Sequence, residues 1–546
     1  MLERIKHTQE LVAATRRARM IAPLRPDRYL RIAAAVRREG MTETVGFAIA
    51  ARRCPDRAGL IDELGALTWR QLDERCDALA AALQAPSGGR AAPKAVGIMC
   101  RNHRGFVEAL VAATRSGTDV VLLNTSFAGP ALAEVVKRER VDTVIFDEEF
   151  TAAVDQALAG NPDATRIVAW TDDPRAHDVT VEKLIAAHLG RRPKRTGKGK
   201  LILLTAGTTG TPKGAKRSGG GSEALLAILN GMPWRAEETT VVAAPMFHAW
   251  GFFGLVFSAM MACTVVTRRK FDAEATLELI DRHRATGLGV VPVMFDRIMD
   301  LPNEVRRRYN CRSLRFAAAS GSRMRPDVVT AFMDQFGDVI YNNYNATEVG
   351  MVARATPQDL RAAPDTAGKP VEGAQIRILD DELRDVPTAK VGRIFVHNTT
   401  QFDGYTSGAT KDFHDGLMAS GDVGYLDEAG RLFVVGRDDE MIVSGGENVY
   451  PIEVEKTLAA HPAVAEAAVI GVDDQQFGQR LAAFVVLEHG ASATPDLLKQ
   501  HVRENLANYK VPREIIILDE LPRSSTGKIV RRELQARVSA TATDGG

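Results

Sequence analysis

The sequence predicts an α/β protein: a large, multi-layer α/β N-terminal domain followed by a small α+β C-terminal domain. Three observations carry this. The chain has 546 residues, more than one module at about 150 residues per domain. From residue 94 short apolar runs alternate with helical periods. Near GRDDEMI, residues 436–442, the composition shifts, and about 105 residues with a mixed pattern of their own follow, enough to bury a separate core.

In chain order, residues 1–40 carry ten Lys or Arg against four Asp or Glu, with Ile5, Leu11, Val12, Met20 and Ile21 at scattered apolar positions. This pattern suits short amphipathic helices. We read 1–45 as a basic helical arm packed on the main body; a peripheral contact with an anionic membrane is the sharper alternative. The first twenty residues mix both charges and hold no apolar run of the secretory kind.

Residues 94–146 then read as a βαβαβ series: KAVGIMC, HRGFVEALVAATRSG, DVVLLN, GPALAEVVKRER and VDTVIF. Such a series implies a parallel sheet flanked by helices, with ligands outside the carboxyl ends of the strands. RRPKRTGKGK, residues 191–200, is a solvated basic loop. Residues 249–267 form an uncharged stretch of 19, which is more economically a buried helix running into a strand than a membrane span. Past residue 442 the order is helix (YPIEVEKTLAAH), strand (EAAVIGV), strand (RLAAFVVL), helix (TPDLLKQHVRENLA) and strand (EIIIL).

Lys plus Arg is 70 and Asp plus Glu 69, a formal net charge of +1, so no global field concentrates nucleic acid. The five cysteines are widely spread without a C-x-x-C pair, which excludes a disulfide framework and a structural zinc site and points to a reducing, cytoplasmic setting.

The most informative stretch is LILLTAGTTGTPKGAKR, residues 201–217. A strand runs into Thr205, Gly207, Thr208, Thr209, Gly210, Thr211 and Lys213. Glycines free backbone N–H groups to face phosphate oxygens, hydroxyls add neutral donors, and the lysine adds positive charge. A polyphosphate ligand follows. The G-x-x-x-x-G-K-[ST] loop of P-loop NTPases does not fit, because Lys213 stands between Pro212 and Gly214.

This stretch resembles the signature of the adenylate-forming superfamily of acyl-CoA synthetases, luciferases and nonribosomal peptide synthetase adenylation domains, with Ala206 where most members have Ser. Further motifs match in order over roughly residues 45–535. The resemblance implies an adenine pocket lined by Ser320, Gly321 and Ser322. From YNATE it implies Tyr344 stacked on adenine, Asn345 in place of the usual Gly, Thr347 at phosphate and Glu348 holding Mg2+. Asp422 is implied for the ribose hydroxyls, Arg437 for ribose or phosphate, and Asp439 for a hinge over 437–440. Ser444, Gly445, Gly446 and Glu447 are implied to line the thiol-acceptor tunnel, and Lys528 to be the adenylation lysine. His248 and Trp250 in PMFHAWGFFGL border the implied acyl pocket.

On this resemblance, the large domain is 46–436 and the mobile small domain 441–546. The implied reaction joins a carboxylic acid, expected to be a medium- or long-chain fatty acid, to AMP from ATP and passes the acyl group to CoA. Lys528, Glu348 and Lys213 are the catalytic candidates. Alternatives are an acyl-AMP ligase loading a carrier protein and a non-catalytic acyl or nucleotide sensor. The chain is open to homodimer formation.

Overall fold

The computed structural model describes the chain except residues 1, 22, 86–91, 162, 174, 195–196, 206–212, 217–221, 347–349, 399–403, 406–411, 445–446, 475–477, 525–526 and 544–546. The chain divides into two compact units. One comprises Met1–Pro364, Val371–Gly373 and Asn398–Thr410; the other comprises Asp365–Pro370, Ala374–His397 and Lys411–Gly546.

In the first unit the βαβαβ series forms as expected. Strands Ala95–Met99, Asp119–Leu122 and Thr143–Asp147 alternate with helices Arg104–Ser116 and Gly129–Arg138. Leu201–Thr205, Asp119–Leu122, Ala95–Met99, Thr143–Asp147 and Thr165–Trp170 lie side by side, all parallel. Every residue of Ala95–Met99 is buried, as a strand covered on both faces requires. Helix Arg104–Ser116 starts at His103, whose ring accepts from the Gly105 N–H, and ends at Gly117 in the left-handed conformation, where a Cβ would be strained.

The strands that this unit contributes to a second sheet run in the order Gly350–Ala355, Ile340–Ala346, Phe316–Ser320, Gly287–Val290, Thr239–Val242, Thr264–Val266, Ala58–Asp62, Gly65–Thr68. Of these, the six central strands are parallel and the two at the ends antiparallel. The uncharged stretch becomes helix Ala249–Met260 and strand Thr264–Val266. Among the described residues no helix is long and apolar enough to cross a membrane. The arm forms helices Leu2–Arg17 and Pro26–Glu39, which lie on helices Ser222–Gly231 and Val45–Arg53 respectively.

In the second unit Gln375–Leu379, Gly392–His397, Leu417–Leu426 and Leu432–Arg437 form an antiparallel sheet. Ser420–Asp422, a Ser-Gly-Asp run of turn-forming composition, lies inside the strand Leu417–Leu426. Gly421 takes φ +83° within it. Pairing with strands on both sides overrides the local turn chemistry.

The terminal part follows the expected order, with helix Pro451–Ala459, strands Val464–Asp474 and Gly478–Leu487, helix Pro495–Asn505 and strand Glu514–Leu518. Helix Arg531–Thr543 closes it. Val469, Ala483 and Val485 pack with Leu458, Leu498 and Val502, while Ala468, Ala482 and Phe484 pack with Leu534 and Val538. The period-2 alternation of the strands thus covers the sheet with helices on both faces.

Candidate functional site

In the second sheet of the first unit, neighbouring strands bring small and apolar residues into rows. Ala318 pairs with Gly289 and Gly289 with Val242; Phe316 pairs with Gly287 and Gly287 with Thr240. Phe316 and Ala318, two residues apart on one strand, share a face with Thr240, Val242 and Gly289. Helix Ala249–Met260 lies over that face through Trp250, Gly251, Phe253 and Gly254, and Trp234 also lines the space. Between them is a small apolar cavity of about 20 Å³, roughly the room one water needs.

Four of its eleven lining residues are aromatic. Trp250 stacks on Phe253 at 5.6 Å, and its indole N–H donates to the Val290 carbonyl at 2.9 Å. Trp234 lies 4.5 Å from the Phe316 ring and 5.0 Å from Phe257. Of the two residues expected at an acyl pocket, Trp250 lines the cavity. His248 occupies the N-cap of the helix, its ring 4.8 Å from Phe247, and is not part of the wall.

The segment before that helix is held by a residue the sequence reading missed. Asn102, buried after strand Ala95–Met99, donates to the Ala244 carbonyl at 2.9 Å and accepts from the Met246 N–H at 2.8 Å. One amide thereby ties the first sheet to the approach to helix Ala249–Met260. Nothing in the sequence singles it out, since it stands in the charged run RNHR, residues 101–104.

The same strand that supplies Phe316 and Ala318 ends at Ser320, which is buried. Gly321 follows at φ +106° and Ser322 is exposed. Ser320 pairs in register with Asn343 on strand Ile340–Ala346, which carries Tyr344 and Asn345 at a register irregularity. The Asn345 Oδ1 is a buried acceptor with no partner among the described residues. Asn343 donates to the Ala319 carbonyl at 3.2 Å and accepts from the Arg354 Nε at 2.8 Å. Arg354 also donates to the Ala227 carbonyl, and burial lowers its guanidinium to about 10, so it stays protonated at neutral pH. Arg354 therefore braces the ends of two strands against helix Ser222–Gly231.

Thr205 ends strand Leu201–Thr205 and pairs with Lys213, the first residue of strand Lys213–Lys216; only the backbone of these two belongs to the described residues. Gly207, Thr208, Thr209, Gly210, Thr211, Thr347 and Glu348 lie outside the described residues.

In the second unit Asp422 and Arg437 are cross-strand partners, with the guanidinium 3.5 Å from the carboxylate. Asp439 falls in the short 3-10 turn Asp438–Glu440, and Ser444 and Glu447 pair across the strands Ile442–Ser444 and Glu447–Val449. For these three residues only the backbone is described, and Gly445 and Gly446 lie outside the described residues. Lys528 is exposed in a loop closed on itself, its carbonyl accepting from the Ser524 N–H at 2.7 Å and its N–H donating to the Ser524 Oγ at 3.2 Å.

Comparison with known proteins bears on what these parts do. A family model described as AMP-binding enzyme matches residues 47–406, and one described as AMP-binding enzyme C-terminal domain matches residues 453–528. The chain is 28% identical to the fatty acid–[acyl-carrier-protein] ligase ScoC of Streptomyces coeruleorubidus, over 88% of this chain and 94% of that protein. It is 30% identical to the indoleacetate–CoA ligase of Aromatoleum aromaticum, over 87% of this chain and 93% of that protein. Among solved structures, the o-succinylbenzoate CoA synthetase of Bacillus subtilis, in complex with its acyl-adenylate intermediate, matches with a TM-score of 0.74 and 25% identity, over 90% of this chain and 97% of that one.

Proposed function

The chain belongs to the AMP-binding enzyme family and is an adenylate-forming acid–thiol ligase; from that premise we propose that its acid is compact, apolar and ring-bearing, and that its thiol acceptor is CoA. The observation that carries this is the apolar wall to which Trp234, Trp250, Phe253 and Phe316 contribute their rings. Flat ring faces suit an aromatic acid, because offset and edge-on ring pairs add to area burial. The relatives that act on indoleacetate and o-succinylbenzoate support the same choice.

In the first half-reaction the substrate carboxylate attacks the α-phosphorus of ATP, the bond to the β-phosphate oxygen breaks, and pyrophosphate leaves. Charge on the transferring group must be neutralised, and we assign this to Lys213 and Lys528, with Glu348 holding the magnesium that accompanies ATP. Tyr344 and Ser320 are assigned to adenine. Asp422 is assigned to the ribose hydroxyls, with the neighbouring Arg437 orienting its carboxylate. In the second half-reaction the thiol attacks the acyl carbon, AMP leaves, and Ser444–Glu447 border the acceptor. We place the hinge between the two half-reactions at Asp439.

A second reading, transfer of a fatty acyl group to a carrier protein, is favoured by the ScoC relative. AMP release with ATP and magnesium, measured across aryl, arylalkyl and straight-chain acids with and without CoA, separates the two. We expect CoA-dependent turnover to be greatest on arylalkyl acids. Turnover that rises steadily with alkyl length and ignores CoA overturns the proposal.

A further inference from the structure

The wall of the cavity continues into a part of the chain that precedes the family match at residue 47. Helix Leu2–Arg17 packs Leu11 and Ala14, and Ala18 just past its end, into one apolar cluster with Leu226, Trp234 and Phe316. Ala14 and Ala18 are 1% and 3% exposed. Trp234 and Phe316 are also lining residues of the cavity, so both belong at once to the cavity wall and to the arm's cluster.

Trp234 sits in the irregular connection between helix Ser222–Gly231 and strand Thr239–Val242, where no helix or strand ladder fixes it. The arm supplies the fixing. The Ala236 N–H donates to the Ala18 carbonyl at 2.7 Å. Arg53, 8% exposed, donates to the Arg19 carbonyl at 2.9 Å and to the Met20 carbonyl, while its Nε bonds Glu237 at 2.7 Å. Arg17 reaches Asn230 at 2.7 Å. The end of the arm and the connection carrying Trp234 are therefore clamped to each other at both ends of the tryptophan.

We infer that the N-terminal arm is a specificity element of the ligase: it sets the position of Trp234, and through it the size of acid the cavity accepts. This rests on the reading of the cavity as the acyl site. Interiors are close-packed, so space opened behind the indole is space into which it retreats when a larger acid enters. Leu11, Ala14, Ala18 and Met20 are positioning residues that touch no substrate.

The test uses the full-length chain and reads the kcat/KM ratio of a larger to a smaller arylalkyl acid, with the KM for ATP as internal reference and thermal melting as a check on folding. Trp234→Ala enlarges the cavity directly and should raise the ratio about tenfold. Leu11→Ala/Met20→Ala loosens the arm behind the indole and should raise it about threefold, with the KM for ATP unchanged. In the Trp234→Ala background the arm variant should add nothing, because its route has been removed. Should the double variant fail to fold, Leu11→Ala alone is read the same way. If Trp234→Ala shifts the ratio and the arm variant does not, or adds fully in that background, the arm has no such role while the acyl-site reading stands. If neither shifts the ratio, both fall.

Discussion

At Gly289 a Cβ would meet only the Val241 carbonyl oxygen, 3.9 Å away, whereas one at Gly287 would lie 2.3 Å from the Phe316 ring. The two glycines sit on one strand yet do different work. Gly287 lets Phe316 lie across the strand, and Gly289 keeps the cavity open beside Ala318. Gly289→Leu therefore fills substrate space without backbone strain. We expect it to lower kcat/KM for larger arylalkyl acids about a hundredfold, as loss of roughly 3 kcal/mol of pocket contact implies, while the KM for ATP changes little. A steady-state comparison of two acids decides it, and equal loss for both would refute the pocket assignment. Neither glycine's role is legible in the sequence GLGVV, because the neighbours that distinguish them come from strands more than twenty residues away.

The strand Leu417–Leu426 shows how an element imposes a conformation on its residues. Gly421 stands at φ +83° between Ser420, whose hydroxyl donates to the Ile394 carbonyl at 3.0 Å, and Asp422, whose N–H donates to the Ser420 Oγ at 3.1 Å. These bonds turn the Asp422 carboxylate toward Arg437 on the paired strand. A Cβ in this conformation costs about 1–2 kcal/mol. Gly421→Ala should lower the melting temperature slightly and raise the KM for ATP several-fold, since it displaces the residue proposed for ribose. An unchanged KM for ATP would detach Asp422 from the nucleotide. Ser-Gly-Asp is visible in the sequence as a motif. That it lies within a strand is decided by partners contributed by residues 392–397 and 432–437.

At the scale of the whole molecule, buried charge ties the arm and the first sheet's helices together. Arg115, 3% exposed at its side chain, lies 2.7 Å from Asp73, 3.0 Å from Asp77 and 3.1 Å from Glu39; Arg52 also pairs with Asp73. Burial raises the Glu39 carboxyl. At Asp73 burial also pushes upward, but Arg115 and Arg52 more than offset it and the carboxyl lies below 3.8. The folded pKa of Asp73 is thus depressed, so its stabilising contribution is complete above the unfolded value and is lost as pH falls through the folded one. Asp73→Asn leaves two guanidiniums short of a partner and should destabilise by about 3 kcal/mol at pH 7. That gap should narrow as pH drops below 3.8, read as urea midpoints at both pH values; a gap independent of pH would refute it.

The same scale governs Lys528. Its loop is closed by bonds between the Lys528 and Ser524 backbones and the Ser524 hydroxyl, which alanine preserves. Lys528→Ala should abolish adenylate formation, followed by ATP–pyrophosphate exchange, and leave thioester formation from supplied acyl-adenylate intact. Equal loss of both half-reactions would overturn the assignment of this lysine to the first alone, and with it the proposed rotation at Asp439.

What the sequence by itself determined is local or periodic: the βαβαβ series, the helix–strand order of the terminal region and the reading of 249–267 as helix then strand. Each is written in contiguous residues, because secondary-structure period and turn chemistry act over a few positions. Trp250 was legible for the same reason, as part of PMFHAWG. Only the tertiary structure decided the cavity beside Trp250, the tie made by Asn102, the brace made by Arg354 and the clamp of the arm on Trp234. Trp234, Phe253 and Phe316 each read as ordinary core residues in isolation. Their common wall arises from strand order and helix placement, and burial alone does not reveal which side of a side chain faces a neighbour and which faces open space.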